Sequence, residues 1–366
     1  MSTTVNDLIG WFEEFAPQTL QEEYDNCGLQ VGDKNTPITA VLLTLDITNE
    51  VVDEAIQYNC NVIVAHHPLI FKALKKITPE NHIQNIIIRL IKNNISLFIA
   101  HTNIDNVIEG VNSQIADKLE LTNRSVLLPL NNSFAKIITF IPEKHATKVQ
   151  QALFEAGAGT IGNYDCCSFT SLGKGSFRAK TNANPFVGEV NKLHTEPEVR
   201  IEMIFPKYLQ QNIIESLIQS HPYEEPAYDV LHLENANNRL GAGLVGWLPT
   251  PMDEIEFLEK MKKILHCEMI KHTKLRTKKI SKVALCGGSG AFLIKNALNA
   301  KADIFITGDL KYHDYFEANE SIVLADFGHF ETEQYTKHIF YEIITKKMPK
   351  FVVRISETKT NPINYL

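Results

Sequence analysis

The sequence predicts an α/β protein with mostly parallel sheets, interrupted in its middle by an inserted α+β module. Three observations predict it. Short β-branched runs alternate with longer amphipathic ones between Ile38 and Leu119, the same rhythm returns from Lys282 onward, and the texture between those halves is different. With 366 residues, 44% of them hydrophobic and 22% charged, the chain has material for an ordinary globular core and length for two or perhaps three domains.

In the first half, Ala40 to Leu45, Asn61 to Ala65 and Ser96 to Ala100 read as buried strands, and Glu50 to Tyr58, His82 to Lys92 and Val111 to Leu119 as the helices between them. In the last part, Val283-Ala284-Leu285 leads into Gly287-Gly288-Ser289-Gly290 and a helix reaching Ala300, followed by strands at Asp303 to Thr307 and Ile322 to Ala325. In the middle, Phe134 to Pro142 and Val199 to Phe205 are strand candidates, His145 to Glu155 and Leu209 to Ser220 are helical, and Gly173 to Pro185 is polar and turn-rich. This sets a discontinuous core of 1–130 and 236–366 around an inserted domain of 131–235.

A formal charge of −7 argues against a broad basic face for nucleic acid. The six cysteines are scattered without a C-x-x-C pair and read as reduced thiols. Asp7, Glu13 and Glu14 interrupt the N-terminal segment where a secretion signal would be apolar, and no apolar run approaches the ~20 residues of a membrane span. A soluble, cytoplasmic protein is expected.

The chemistry lies at strand exits. Val62-Ile63-Val64-Ala65 delivers His66-His67-Pro68 to the carboxyl edge of a parallel sheet, where α/β proteins build their sites. By themselves these are either metal ligands or ordinary loop histidines. Phe98-Ile99-Ala100 then delivers His101 and, four residues later, Asp105, which could equally cap a helix. Far along the chain, His329 and Glu333 are spaced i, i+4, which places both on one helix face, whether as ligands or as a solvated surface. His66, His67, Asp105, His329 and Glu333 give three imidazoles and two carboxylates, more than one four-coordinate ion with an open position needs. Two divalent metal ions are the simpler expectation, and a nitrogen/oxygen ligand set suits zinc, iron, manganese or cobalt.

These residues stand in motifs that resemble the NIF-three-like dinuclear-metal family, several of whose members are labelled GTP cyclohydrolase 1 type 2 homologues. The motifs are Tyr24 to Gly32, Ala65-His66-His67-Pro68-Leu69-Ile70-Phe71, His101-Thr102-Asn103-Ile104-Asp105, Thr307-Gly308-Asp309-Leu310-Lys311-Tyr312-His313 and Gly328-His329-Phe330-Glu331-Thr332-Glu333. Position by position, the resemblance puts metal ligands on the same five residues and implies a NIF-three-like core. It likens the middle segment to the insertion of the longer bacterial members, a module similar to PII or CutA-type trimeric proteins, and implies a ring-shaped homohexamer.

Other residues carry two readings each. Gly287 to Gly290 could cradle a phosphate but reads better as a tight strand-to-helix turn. Asp309, Lys311, Tyr312 and His313 could line the cavity, or cap a helix beginning near Tyr315. His101 is either a proton shuttle or a structural histidine. His221-Pro222-Tyr223-Glu224-Glu225-Pro226 reads as a loop or subunit contact. The expected function is metal-dependent hydrolysis of a nucleotide, most concretely ring opening of GTP by metal-activated water with His101 or His313 as general acid. A metal-dependent phosphoesterase and a non-enzymatic metal-binding regulator are the alternatives.

Overall fold

A computed structural model describes residues 2–366. Chain contacts divide it into two compact units, one built from the residues up to Pro129 together with Asn238–Leu366, the other from Leu130–Asn237.

The first unit holds two sheets. One has five strands in the order Gly28–Val31, Ser96–Ile99, Val62–Ala65, Val41–Thr44, Val353–Ile355. All neighbours are parallel except Gly28–Val31, which runs antiparallel to Ser96–Ile99 at the edge. The three central strands are buried at every position, because helices and loops cover both faces. The helices bring their apolar stripes: Asn49–Gln57 buries Val51, Val52 and Ala55, and His82–Lys92 buries Ile86, Ile87 and Leu90. Thr48 and Asn81 cap their first turns through side-chain oxygens.

The other sheet has six strands in the order Lys271–His272, Val323–Asp326, Ile304–Gly308, Lys279–Ser289, Asn237–Asp253, Thr122–Leu130. Its parallel centre carries an antiparallel partner on either side. Two expectations change here. Gly287-Gly288-Ser289 is not a turn but the continuation of the Lys279–Ser289 strand, and the chain bends only at Gly290. No α-helix starts near Tyr315, since Asp314–Ala318 is a single 3₁₀ turn closed by Asn319 in the left-handed region.

The second unit is a four-stranded antiparallel sheet in the order Phe169–Arg178, Leu193–Pro206, Phe134–Pro142, Tyr228–Leu233. The helices Ala146–Glu155 and Gln210–Ser220 cover one face, packing Val149, Leu153, Ile213 and Leu217 onto Ile137, Ile201, Met203 and Phe205. Of the turn-rich stretch expected over Gly173 to Pro185, the part up to Arg178 is instead strand, because Phe169–Arg178 pairs along its whole length with Leu193–Glu202, and the turn comes only beyond it. Its glycines do not break it, since the ladder needs only backbone groups.

Candidate metal centre

Each histidine of the cluster leaves a strand end in a fixed direction. The Val62–Ala65 strand gives way to His66 and His67, whose N–H groups donate to the Leu45 carbonyl at 3.2 and 2.9 Å and keep both residues at the sheet edge. Ser96–Ile99 ends beside them and passes through His101 into the short helix Thr102–Asp105. From the other sheet, Val323–Asp326 turns at Gly328, which adopts φ +95°, and enters the helix His329–Glu333.

These ends meet. Oε2 of Glu333 lies 3.0 Å from Nε2 of both His67 and His329, and the two nitrogens are 3.2 Å apart. Its other oxygen, Oε1, is 3.8 Å from Nε2 of His66, which is 3.7 Å from Oδ1 of Asp105. One carboxylate therefore faces two ligand sets, His67 with His329 and His66 with Asp105, and within each set all ligand atoms lie inside 4.8 Å. A third group within the same limit joins His101 to His66 and His67.

Around them, every imidazole is oriented through its Nδ1–H. His66 donates to the Ala100 carbonyl at 2.9 Å, His67 to Asp46 at 2.7 Å, His101 to Asp25 at 2.8 Å and His329 to Asp309 at 2.7 Å. Such outer contacts fix the tautomer and leave Nε2 free for a ligand. Asp46 is held in turn by the Thr360 hydroxyl at 2.6 Å, and Asp25 by the Thr102 N–H at 3.0 Å and hydroxyl. The glycines make room for Glu333, because a Cβ at Gly288 would sit 2.1 Å from its Oε1.

The electrostatics fit a divalent cation held by these groups. Among the described residues, His66 Nε2 and Asp105 Oδ1 are buried side-chain atoms without a hydrogen-bond partner, a costly state that an ion would relieve. Burial lowers His66 to about 4, so it is a neutral donor. For His67, burial opposes charge but Asp46 and Glu333 outweigh it and raise it to about 10, while Glu333 and Asp309 against the same opposition lift His329 to about 9. Burial and the Glu333 carboxylate push Asp105 well above the usual carboxylate range. Burial acts the same way on Glu333, but His329, His66 and His67 overcome it and hold Glu333 well below. Two protonated imidazoles 3.2 Å apart repel, and a divalent ion in place of their protons removes that conflict.

The structure thus brings together His66, His67, His101, Asp105, His329 and Glu333, and it leaves His313 out: that side chain is exposed and packs on Tyr312 and Phe316. A loop following a strand end reaches the cluster with Asp309 but turns away four residues later. The sequence reading missed Asp46, although it directly follows a buried parallel strand and its Leu45 neighbour, the same signal that marked His66.

An α/β fold with a histidine and carboxylate cluster at the carboxyl ends of parallel strands defines this molecule as a protein with candidate metal-binding groups. Residues 3–362 match the model of the Duf34/NIF3 (NGG1p interacting factor 3) family, and the chain belongs to that family. It is 38% identical to a GTP cyclohydrolase 1 type 2 homolog of Bacillus subtilis over 100% of both chains, and 36% identical to one of Halalkalibacterium halodurans over 98% of each. The crystal structure of a Bacillus cereus protein related to NIF3 superposes with a TM-score of 0.86 at 38% identity, covering 100% of both chains.

Proposed function

We propose that the protein is a dinuclear-metal-dependent hydrolase acting on a nucleotide, with GTP ring opening the first reaction to test in view of its relatives' names. The observation that carries this reading is Glu333 placed between two ligand sets, one oxygen toward His67 and His329 and the other toward His66 and Asp105. His66, His67, Asp105, His329 and Glu333 would hold the two divalent ions, with zinc, iron, manganese and cobalt all compatible with these donors. Such ions supply Lewis acidity toward the bond under attack and lower the pKa of water toward neutrality.

The chain's own groups do the rest. Asp46 and Asp309 hold the rings of His67 and His329 in register, and the buried walls of the two sheets exclude bulk water from the His66 side. His101, with Nδ1 committed to Asp25, keeps a second nitrogen for a proton at the cluster. No C-x-x-C or disulfide competes for this chemistry, and all six cysteines are free thiols, which suits a cytoplasmic setting. A homohexameric assembly belongs to the same reading and is measured by light scattering on the metal-loaded protein.

The deciding assay incubates metal-loaded protein with GTP and with phosphoesters, and measures ring-opened product and free phosphate separately. Ring-opened product that disappears on chelation supports the proposal. Phosphate alone transfers it to phosphoester hydrolysis, and inactivity on every nucleotide leaves a metal-binding regulator. His101→Ala should keep the metal and lower turnover by on the order of 10²–10⁴-fold.

A further inference from the structure

Beyond the Val353–Ile355 strand the chain forms no further helix or strand, and side chains hold it down instead. The Ser356 N–H donates to the Leu43 carbonyl at 2.8 Å. Glu54, on the helix Asn49–Gln57, then takes the main grip: its carboxylate accepts from the Ser356 and Thr358 hydroxyls, both at 2.6 Å, and from the Glu357 N–H at 3.0 Å. These contacts account for the attachment of residues 356–358. They do not account for the contacts made just beyond.

Thr360 and Asn361 each reach a carboxylate of the metal centre's surroundings. The Thr360 hydroxyl donates to Oδ2 of Asp46 at 2.6 Å, while the other oxygen of that carboxylate holds the His67 ring at 2.7 Å. The Asn361 side-chain amide donates to Oε1 of Glu331 at 3.0 Å. Glu331 belongs to the helix His329–Glu333 and is only 7% exposed. Its Oε2 lies against Gly328, where a Cβ would come within 2.1 Å, so Glu331 packs on the turn that aims this helix. Two adjacent residues therefore touch the supports of ligands that come from two different sheets.

A carboxylate turns easily about its last side-chain bond, so an acceptor gripped at one oxygen offers the other in a fixed direction. Without the Thr360 hydroxyl, Asp46 can turn and the His67 ring can turn with it. We propose that Thr360 and Asn361 are positioning residues of the metal centre, a strap that sets His67 through Asp46 and the His329–Glu333 helix through Glu331. The inference rests on reading the cluster as a metal centre and adds to it what fixes the spacing of its two parts.

The test is chelator competition on the full-length protein with zinc as the probe ion, alongside thermal denaturation of the chelated samples. Thr360→Val should weaken zinc retention severalfold to about tenfold, toward the low end for outer contacts of a metal site, with Tm unchanged and with Thr360→Ser restoring affinity. In an Asp46→Ala background the same Thr360→Val change should add nothing, because the hydroxyl acts through that carboxylate. Asn361→Ala should weaken retention to a similar degree, and removal of residues 360–366 should weaken it more than either single change. Wild-type affinity in both Thr360→Val and Asn361→Ala, a Thr360→Val loss that persists undiminished without Asp46, or a loss that Thr360→Ser does not restore would each overturn the proposal. Wild-type protein that retains no zinc would overturn the metal-centre reading itself, and the strap with it.

Discussion

The two units place their unusual polar groups in opposite parts of a sheet. In the unit with parallel strands, the three central strands of the five-stranded sheet are buried at each position, so polar chemistry appears there where strands end, and six candidate side chains converge from two sheets. In the 130–237 unit the sheet is antiparallel and covered by helices on one face, so a charged side chain can stand in the middle of a strand, as Glu198 does. The first arrangement fixes each group from outside, through Asp25, Asp46, Asp309 and the Ala100 carbonyl. In the second, the Glu198 carboxylate is held by the Tyr223 hydroxyl. A cluster held at strand ends in one unit and a sheet face without helices in the other follow from how the strands are arranged.

The strongest way to break this contrast is at the carboxylate shared by both ligand sets. Glu333→Ala should abolish metal retention by elemental analysis while circular dichroism stays native, and unchanged occupancy would remove the metal-centre assignment. Next, deleting 130–237 and joining the ends through a short flexible linker should leave a folded core that still binds metal, because all six cluster residues lie outside the deleted segment. A folded core that has lost its metal would show that the second unit helps build the site. A smaller effect is expected from Asp46→Asn, which removes the acceptor holding His67: metal affinity measured by chelator competition should fall about 10–100-fold.

The smallest effects are in pH dependence, and they differ in sign between the units. His221 is neutral in the fold, accepting from the Tyr223 N–H through Nδ1 and donating to the Phe140 carbonyl through Nε2, and burial lowers its pKa. The unfolded chain takes up that proton first, so the 130–237 unit should lose stability as pH falls through the ordinary histidine value of about 6.5. In chelated protein His67 is raised to about 10, so its contribution is complete below the unfolded value and is lost as pH rises through about 10. Thermal denaturation of the chelated protein followed across pH, with hydrogen exchange reporting each unit, separates the two slopes.

Much of this was legible in the sequence where one local rule applied. A buried β-branched run ending in His66-His67 states both the strand and where it ends, and the i, i+4 spacing of His329 and Glu333 holds because a helix does start at His329. What escaped depended on distant partners. Asp46 takes its place through a 2.7 Å contact with a ring twenty-one positions away, and His313, in the motif that carries Asp309, lies outward where a 3₁₀ turn follows instead of a helix. Gly287 and Gly288 read as a turn because glycine usually marks one, whereas here they leave space for Glu333. Phe169–Arg178 lacks a hydrophobic period because most of it is exposed on both faces, so periodicity had nothing to detect.

The contact between His67 and His329 joins positions 262 residues apart. Closing so long a loop is an entropic cost that only the assembled sheets repay, so the full set of donors exists for no stretch of nascent chain and is completed among the last events of folding. Ion uptake is therefore expected to follow folding rather than guide it. Refolding from denaturant should proceed at the same rate with or without divalent ions, and the ions should slow only the reverse step, unfolding.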